Sequence, residues 1–416
     1  MSSEHPLTLA ARDAWLYTLP LIEVSAAKAR AHAAGAPHNH LVHLQSLASS
    51  KDRFVTTPNN DTLYSNAHLD LNAGPVTLCL PDTPGRYQSV ALMDAYSNNF
   101  AVLSTRTIGE SGGRFILIGP TAVAPPGQLI VRAPTPHVWL LARTAVYGPQ
   151  DLAAARSAQG GLDLVAPKLI PAAEERGVTR SAGWADYFAR AAQLMALNPP
   201  PVTDLRILRS FAALDLQHFD ASRFNAEEAA AIQAGVKDAQ QLVLRSGGSG
   251  YTLVNGWAYP SADLGAFGQN YLLRARIAVS ALAALPPVEA MYLRAVGDGD
   301  AGCFDGQRRY RLRFGPGTLP PAQSFWSLTL YDATADGQFF FADNPLNRYS
   351  IGDRTPGVRY EADGSLELFI GSDPGRTLRN NWLPSSGARF ALFLRAYLPS
   401  ADLLEGRYRL PAIIPD

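Results

Sequence analysis

Cysteine is nearly missing from this chain: 416 residues hold only Cys79 and Cys303. Two thiols cannot staple a fold of this size, so a disulfide scaffold is excluded and a reducing compartment is expected. Charge is scarce too. Only 17% of residues are charged, and 36 basic residues balance 36 acidic ones. A chain without net charge has no electrostatic grip on nucleic acid or on an anionic membrane surface, so neither partner is expected. The same balance permits self-association, and a homo-oligomer is expected. Long apolar runs are absent: nothing approaches the roughly 18 consecutive apolar residues of a membrane span. The opening stretch carries Glu4, Arg12 and Asp13 where an export signal would have a basic region and a clean apolar core. It reads as an amphipathic helix, and a cytoplasmic location is expected.

Signature motifs are also lacking. No G-x-S-x-G, H-E-x-x-H, C-x-x-C or G-x-G-x-x-G stands in a supporting context, which argues against serine-hydrolase, zincin and dinucleotide-binding chemistry. Ser246-Gly247-Gly248-Ser249-Gly250 is glycine-rich but lacks the Lys-Ser/Thr of a phosphate loop. It reads as a hinge. No organic cofactor is expected.

What the chain has in quantity is apolar residues, 47%, with 34 glycines and 31 prolines. That composition builds large cores separated by many turns. Residues 7–36 repeat apolar positions at helical spacing and stop at Gly35 and Pro37. From Arg53 to Tyr147 the pattern changes to period two, in short runs such as Val76-Thr77-Leu78-Cys79-Leu80, punctuated by Pro and Gly. Helical spacing returns over 149–245. Asn225-Ala226-Glu227-Glu228 supplies a helix cap with acids in the first turn. Gly265 to Val296 reads as one long helix broken at Pro286-Pro287. Period two resumes after Cys303. The expected fold class is α+β, with two antiparallel β-sandwich or jelly-roll-like domains joined and flanked by helices. The boundaries are an N-terminal helix and connector at 1–52, a first sandwich at 53–148, a helical region at 149–302 and a second sandwich at 303–416. The two β halves show no repeat in sequence.

Several ordered motifs carry a resemblance. They include Pro58-Asn59-Asn60-Asp61-Thr62-Leu63-Tyr64-Ser65, Leu69-Asp70-Leu71, Arg86-Tyr87, Asp94 and Gly119-Pro120. Further on stand Asn255-Gly256-Trp257, Tyr271 with Arg274-Ala275, Phe325-Trp326-Ser327-Leu328-Thr329-Leu330-Tyr331, Asn344, Arg348-Tyr349-Ser350-Ile351, Asn381-Trp382-Leu383-Pro384 and Arg395-Ala396-Tyr397. In these the chain resembles the paired families of unknown function numbered 1254, for the N-terminal half, and 1214, for the C-terminal half. The resemblance implies two sandwich domains joined by helices and leaves the reaction open. It also marks a departure, because relatives often have Trp where this chain has His68.

The candidate chemistry starts from Thr57–Ser65, a stretch crowded with amides, hydroxyls, a carboxylate and a phenol. Asp61, His68 and Asp94 are the candidate acid/base groups. Proton transfer needs a fixed carboxyl or imidazole whose pKa is tuned by its surroundings. Asn59, Asn60 and Tyr64 are candidate substrate contacts beside Asp61. A second candidate set is Trp257, Tyr271, Arg274, Trp326, Tyr331, Arg348, Tyr349 and Trp382, in which flat rings and guanidinium groups suit a ring-bearing, sugar-like or carboxylate ligand. His38, His40 and His43 form H-x-H-x-x-H, which no single regular element presents on one face, so no metal is assigned. Gly297-Asp298-Gly299-Asp300 begins like a calcium loop but has Arg309 where the bidentate Glu belongs. The leading expectation is an enzyme that hydrolyses, or eliminates from, a small organic substrate. The alternatives are a glycan- or metabolite-binding module and a metal enzyme using the histidine-rich connector.

Overall fold

Alternating side chains become four sheets among the described residues. The computed structural model describes residues 5–53, 56–167, 177–245, 251–298, 302–335, 338–373 and 379–416. The first β region contains β1 (Val42–His43), β2 (Thr62–Asp70), β3 (Val76–Leu80), β4 (Gln88–Asp94), β5 (Asn99–Ser104), β6 (Gly113–Ile118), β7 (Leu129–Arg132), β8 (His137–Ala145) and β9 (Asp163–Val165). They form a large sheet in the order β1-β2-β8-β4-β5 and a small one in the order β7-β6-β3-β9. Leu69, Val90, Leu92 and Leu140 of the large sheet meet Val76, Leu78, Phe115 and Leu117 of the small one in a single core. Their neighbours of opposite parity point outward, as the pleat requires.

The second β region contains β10 (Tyr251–Val254), β11 (Trp257–Pro260), β12 (Ala290–Ala295), β13 (Tyr310–Phe314), β14 (Ala322–Ala333), β15 (Phe339–Phe341), β16 (Ser350–Gly352), β17 (Leu366–Gly371), β18 (Trp382–Pro384), β19 (Phe390–Pro399) and β20 (Ile414–Pro415). The large sheet runs β10-β11-β12-β19-β14-β15, with β16 also on β14, and the small sheet runs β18-β17-β13-β20. Trp257, Leu293, Trp326 and Leu394 pack against Leu312, Phe314, Leu368 and Leu383. The fold is α+β, and among the described residues none of the sheets closes into a barrel.

Strands reach into the stretch that the sequence pattern marks as helical. β9 pairs with β3, and β10 to β12 extend the second large sheet. Asn255 and Gly256 both take left-handed backbone, at φ 51 and φ 78, and close β10 and β11 into a two-residue hairpin. The single long helix expected over 265–296 is instead a helix at Tyr271–Ser280 followed by β12. Pro286 and Pro287 remove two backbone donors, and Met291, Leu293 and Ala295 then alternate as a strand. The Ser246–Gly250 hinge lies outside the described residues, as does Asp336-Gly337, a pair whose sequence reads as a turn.

Helix Pro6–Ala33 starts with Pro in its first turn and His5 Nδ1 accepting from the Leu7 N–H at 3.2 Å. Helix Ala226–Arg245 has the expected cap: Asn225 Oδ1 accepts from the N–H groups of Glu227 and Glu228, and Glu228 accepts from the Asn225 N–H. These two helices pack closely with helices Trp184–Leu197 and Tyr271–Ser280 around Trp15, Tyr17, Tyr187 and Phe188. Among the described residues no helix is long and apolar enough to cross a membrane.

The two sandwiches repeat one another strand for strand. The order β2-β8-β4-β5 matches β12-β19-β14-β15, and β7-β6-β3-β9 matches β18-β17-β13-β20. Chain order is kept throughout the match. Pairing direction is kept as well: β6·β7 and β17·β18 are parallel, while the other named pairs are antiparallel. Register then aligns individual residues. Arg143 on β8 stands opposite Tyr64 and Ser89, and Arg395 on β19 stands opposite Tyr292 and Ser327.

Gly235 sits where helix 226–245 crosses the N-terminal helix, and a Cβ there would run into the Thr8 carbonyl and the Arg12 backbone nitrogen. Gly235→Ala is therefore expected to lower stability by about 1–3 kcal/mol. The propensity of Ala alone would raise it by up to about 1 kcal/mol. A thermal or urea melt reads the sign.

Candidate functional site

The outer faces of the two large sheets face each other across a seam. Its middle is aromatic: Phe325 and Tyr397 stack at 4.2 Å between ring centres, and Tyr87 meets Tyr397 edge-on at 5.3 Å. Ala91, Ala145, Leu285 and Ala290 fill the space around them. The rest of the seam is polar.

Thr57–Asp61 enters the seam as a clasp from the first sandwich to the second. Asn59 Oδ1 accepts from the Asp61 N–H at 2.6 Å, and Asn59 Nδ2 donates to Tyr397 Oη at 2.8 Å. Tyr331 Oη donates to the Pro58 carbonyl at 2.6 Å. Ser327 Oγ donates to the Asp61 carboxylate at 2.7 Å. Burial raises the Asp61 pKa above the ordinary carboxylate range, against the opposing pull of Arg395 and of the Ser327 and Ser350 hydroxyls.

Glu289 returns the gesture from the second sandwich. It precedes β12 as Asp61 precedes β2, three residues before a seam tyrosine in each case. Its backbone carbonyl accepts from the Leu398 N–H at 3.0 Å, as that of Asp61 accepts from Val146 at 2.9 Å. Its carboxylate is fully buried and accepts from Tyr87 Oη at 3.0 Å, Ser104 Oγ at 2.9 Å and Arg106 Nε at 2.9 Å, all in the first sandwich.

The two arginines cross the seam in the same reciprocal way. Arg143 Nη2 donates to the Ala283 carbonyl at 3.0 Å, and Arg395 Nη2 reaches the Thr57 carbonyl at 3.5 Å. Both carbonyls belong to residues held in left-handed backbone, Ala283 at φ 67 and Thr57 at φ 51. That conformation is costly for residues with a Cβ. Arg395 also donates to Thr329 Oγ1 at 2.7 Å and Tyr331 Oη at 2.5 Å. Arg143 lies over the Tyr64 ring at 5.4 Å, and its Nε and Nη1 have no hydrogen-bond partner among the described residues. Tyr64 and Tyr292 beside it are only partly buried.

Of the residues singled out from sequence, Asn59, Asp61, Tyr64 and Tyr331 meet in this seam. Asn60 adjoins it and is partly buried, with an Oδ1 that has no hydrogen-bond partner among the described residues. The others lie elsewhere. Asp94 closes a turn, accepting from the N–H groups of Tyr96 and Asn98 at 2.9 Å each, and burial raises its pKa. Arg274 is buried among the rings of Tyr17, Tyr96 and Tyr271, and Tyr271 donates to Asp204. Trp257 and Trp326 are core, and the Trp257 and Trp382 indole N–H groups donate to backbone carbonyls. Arg348 donates to the carbonyls of Arg379, Asn380 and Trp382, and Tyr349 stacks on Phe341.

His68 stacks on Trp139 at 5.4 Å, on the same sheet face as Tyr64 but toward the N-terminal helix. Burial, His32, Lys28 and His38 together push its pKa down to about 3. The ring is therefore neutral across the physiological range, unlike the near-neutral titration the sequence suggests. The cavity it lines with Lys28, His137 and Asn198 holds about 30 Å³, too small for an organic ligand. A shallow depression of about 440 Å³ beside His5, Arg223 and Glu228 contains none of the candidates. His38 lies beside His32 and His68, His40 is exposed, and His43 bonds Ser65 Oγ at 2.7 Å. Among the described residues no cluster of His, Cys, Asp or Glu could hold a metal ion. Asp298 accepts from Tyr310 Oη at 2.7 Å and from Arg308, while residues 299–301 of that loop lie outside the described residues.

Sequence reasoning missed Arg143 and Glu289 as site residues. A signal was available for Arg143: a charged residue in the middle of Leu140-Leu141-Ala142-Arg143-Thr144-Ala145, where burial is costly without a purpose.

The fold and seam define a double β-sandwich protein whose halves exchange charged groups. Residues 38–166 match the family model described as protein of unknown function DUF1254, and residues 289–401 match protein of unknown function DUF1214. The chain belongs to these paired families, one to each sandwich. The matched segments contain β2 to β9 and β12 to β19, so the two family models describe the two halves of the structural repeat. The crystal structure of the VPA0106 protein from Vibrio parahaemolyticus is similar over 99% of this chain and 100% of its own, with a TM-score of 0.74 and 23% identity. An uncharacterised protein from Burkholderia cenocepacia is similar at a TM-score of 0.48 and 12% identity, over 99% of this chain and 94% of its own. No curated protein matches the chain in sequence.

Two outcomes are expected from the geometry. Glu289→Ala leaves the Tyr87 and Ser104 hydroxyls and Arg106 without their acceptor, and should cost about 3 kcal/mol in a denaturant melt. His68 is neutral when folded, whereas an exposed histidine titrates near 6.5. The unfolded chain therefore gains a proton first as pH falls, and stability is lost from about pH 6.5 downward. At pH 5 the loss attributable to His68 is about 2 kcal/mol. His68→Phe should remove it, seen as a smaller drop in Tm between pH 7.5 and pH 5.

Proposed function

We propose that the seam is the active site of an enzyme that acts on a small organic molecule by acid/base hydrolysis or elimination, without an organic cofactor. Asp61 carries the reading. It is a buried carboxyl with a raised pKa, its backbone N–H held in the Asx turn of Asn59 and its carboxylate held by Ser327 of the other sandwich. A carboxyl so held can take a proton from an attacking water, or from carbon in an elimination, and hand it to the leaving group. The guanidinium of Arg395 and the Tyr64, Tyr292 and Tyr397 hydroxyls supply positive charge and donors for an oxygen that becomes negative during the reaction. A second reading, capture of a metabolite without turnover, is supported by Arg143, whose uncommitted donors call for a ligand but not for chemistry.

A panel of esters, lactones and glycosides tests the proposal. Asp61→Asn should lower kcat/KM by about 10²- to 10⁴-fold. It should remain folded at pH 8, because ionising the buried carboxyl costs stability that the amide does not, and that cost grows as pH rises through the raised pKa. Unchanged turnover in a folded Asp61→Asn protein overturns the role of Asp61. Saturable binding without turnover of any panel member supports the second reading.

A further inference from the structure

The repeat supplies an internal control for every seam residue. Arg395 and Arg143 occupy equivalent positions, each opposite a tyrosine and a serine. Arg395 is tied within its own sheet by Thr329 and Tyr331. Counting along the strands from Ser327 and Ser89, the equivalents of Thr329 and Tyr331 are Ala91 and Met93. The first half therefore lacks the two hydroxyls that satisfy the guanidinium in the second. Arg143 is only 4% exposed, yet its Nε–H and both Nη1–H bonds are uncommitted. A buried guanidinium with three of its five N–H bonds unpartnered is costly, and the usual remedies are an acidic side chain, a set of acceptors, buried water or a bound anion. Among the described residues, the two carboxylates exchanged across the seam are engaged elsewhere, Asp61 with Ser327 and Glu289 with Tyr87, Ser104 and Arg106.

From this we infer that Arg143 is the substrate-binding arginine of the seam, and that the substrate is a small molecule bearing a carboxylate, held between Arg143 and the hydroxyls of Tyr64 and Tyr292. The inference rests on the proposed placement of the active site at the seam. Carboxylate is the chemical class that suits a guanidinium flanked by neutral phenols: one negative charge, planar, with lone pairs for both donor types. Four tyrosines, Tyr64, Tyr292, Tyr87 and Tyr397, surround the Arg143 charge, and among the described residues no carboxylate forms an ion pair with it. The partial exposure of Tyr64 and Tyr292 gives a small ligand its approach. The same position thus carries one arginine tied within its own sheet and one whose donors are left for a ligand.

Isothermal titration of the full chain with sodium acetate, lactate and benzoate, and with benzamide and inorganic phosphate as controls, tests this. At least one carboxylate should bind saturably, benzamide should not bind, and phosphate should bind more weakly. Arg143→Met should weaken carboxylate binding by about tenfold to a hundredfold. Ala91→Ser offers Arg143 the kind of hydroxyl that Thr329 gives Arg395. It should weaken carboxylate binding severalfold without lowering Tm, which keeps the test decisive if Arg143→Met does not fold. Absence of binding by all three carboxylates at millimolar concentration, or equal binding by a folded Arg143→Met protein, overturns the inference. Carboxylate binding that needs Arg143, with no turnover of any panel substrate, upholds it while the catalytic reading fails. Turnover of neutral esters that is untouched by Arg143→Met does the reverse.

Discussion

The structure depends on a reciprocal exchange of charged groups between two sandwiches. Asp61 leaves the first sandwich to meet Ser327 of the second, and Glu289 leaves the second to meet Tyr87, Ser104 and Arg106 of the first. Arg143 and Arg395 each cross to a carbonyl in the segment that leads into the opposite half. Charges buried at such an interface stabilise only when they are paired with good geometry. Either sandwich alone would present these groups without partners. The left-handed Thr57 and Ala283 fit the same scheme, because local backbone strain persists where surrounding contacts over-determine it.

The repeat separates what the fold requires from what it leaves available. A guanidinium opposite a tyrosine and a serine occurs in both halves. In one half threonine and tyrosine satisfy it within the sheet, and in the other alanine and methionine do not. The Asp61 carboxyl, the seam tyrosines and Arg143 then form a polar interior flanked by the Tyr87–Phe325–Tyr397 aromatic centre.

The fold class was legible because period two and period 3.6 are properties of neighbouring residues. Both sandwiches and the helices at 6–33, 184–197 and 226–245 follow from it. The repeat was not legible. Tyr87-Gln88-Ser89-Val90-Ala91-Leu92-Met93-Asp94-Ala95 and Phe325-Trp326-Ser327-Leu328-Thr329-Leu330-Tyr331-Asp332-Ala333 share only Ser, Leu, Asp and Ala at matched places. Strand register is needed to see that these matches are equivalent. The polar stretch Thr57–Ser65 and Tyr331 could be recognised as exceptional, but their partners Tyr397 and Arg395 sit in a strand that reads as core. Arg274 and Arg348 were conspicuous in sequence for the same reason that they bind the protein itself: a long cation near aromatic residues or turn carbonyls satisfies itself locally. His68 shows the opposite limit. Its residue type suggests titration near neutrality, and only its burial, with two histidines and a lysine beside it, reveals that it stays uncharged.

The exchange of Asp61 and Glu289 also bears on how such a chain can drift over generations. Each acid is held by hydroxyls encoded in the other half, so the position free to change is the pair and not the residue. A loss at Asp61 finds its natural compensation around Ser327 and Ser350, and one at Glu289 around Tyr87 and Ser104. Two halves so linked cannot readily recombine with other modules. The seam makes the tandem arrangement an inherited commitment.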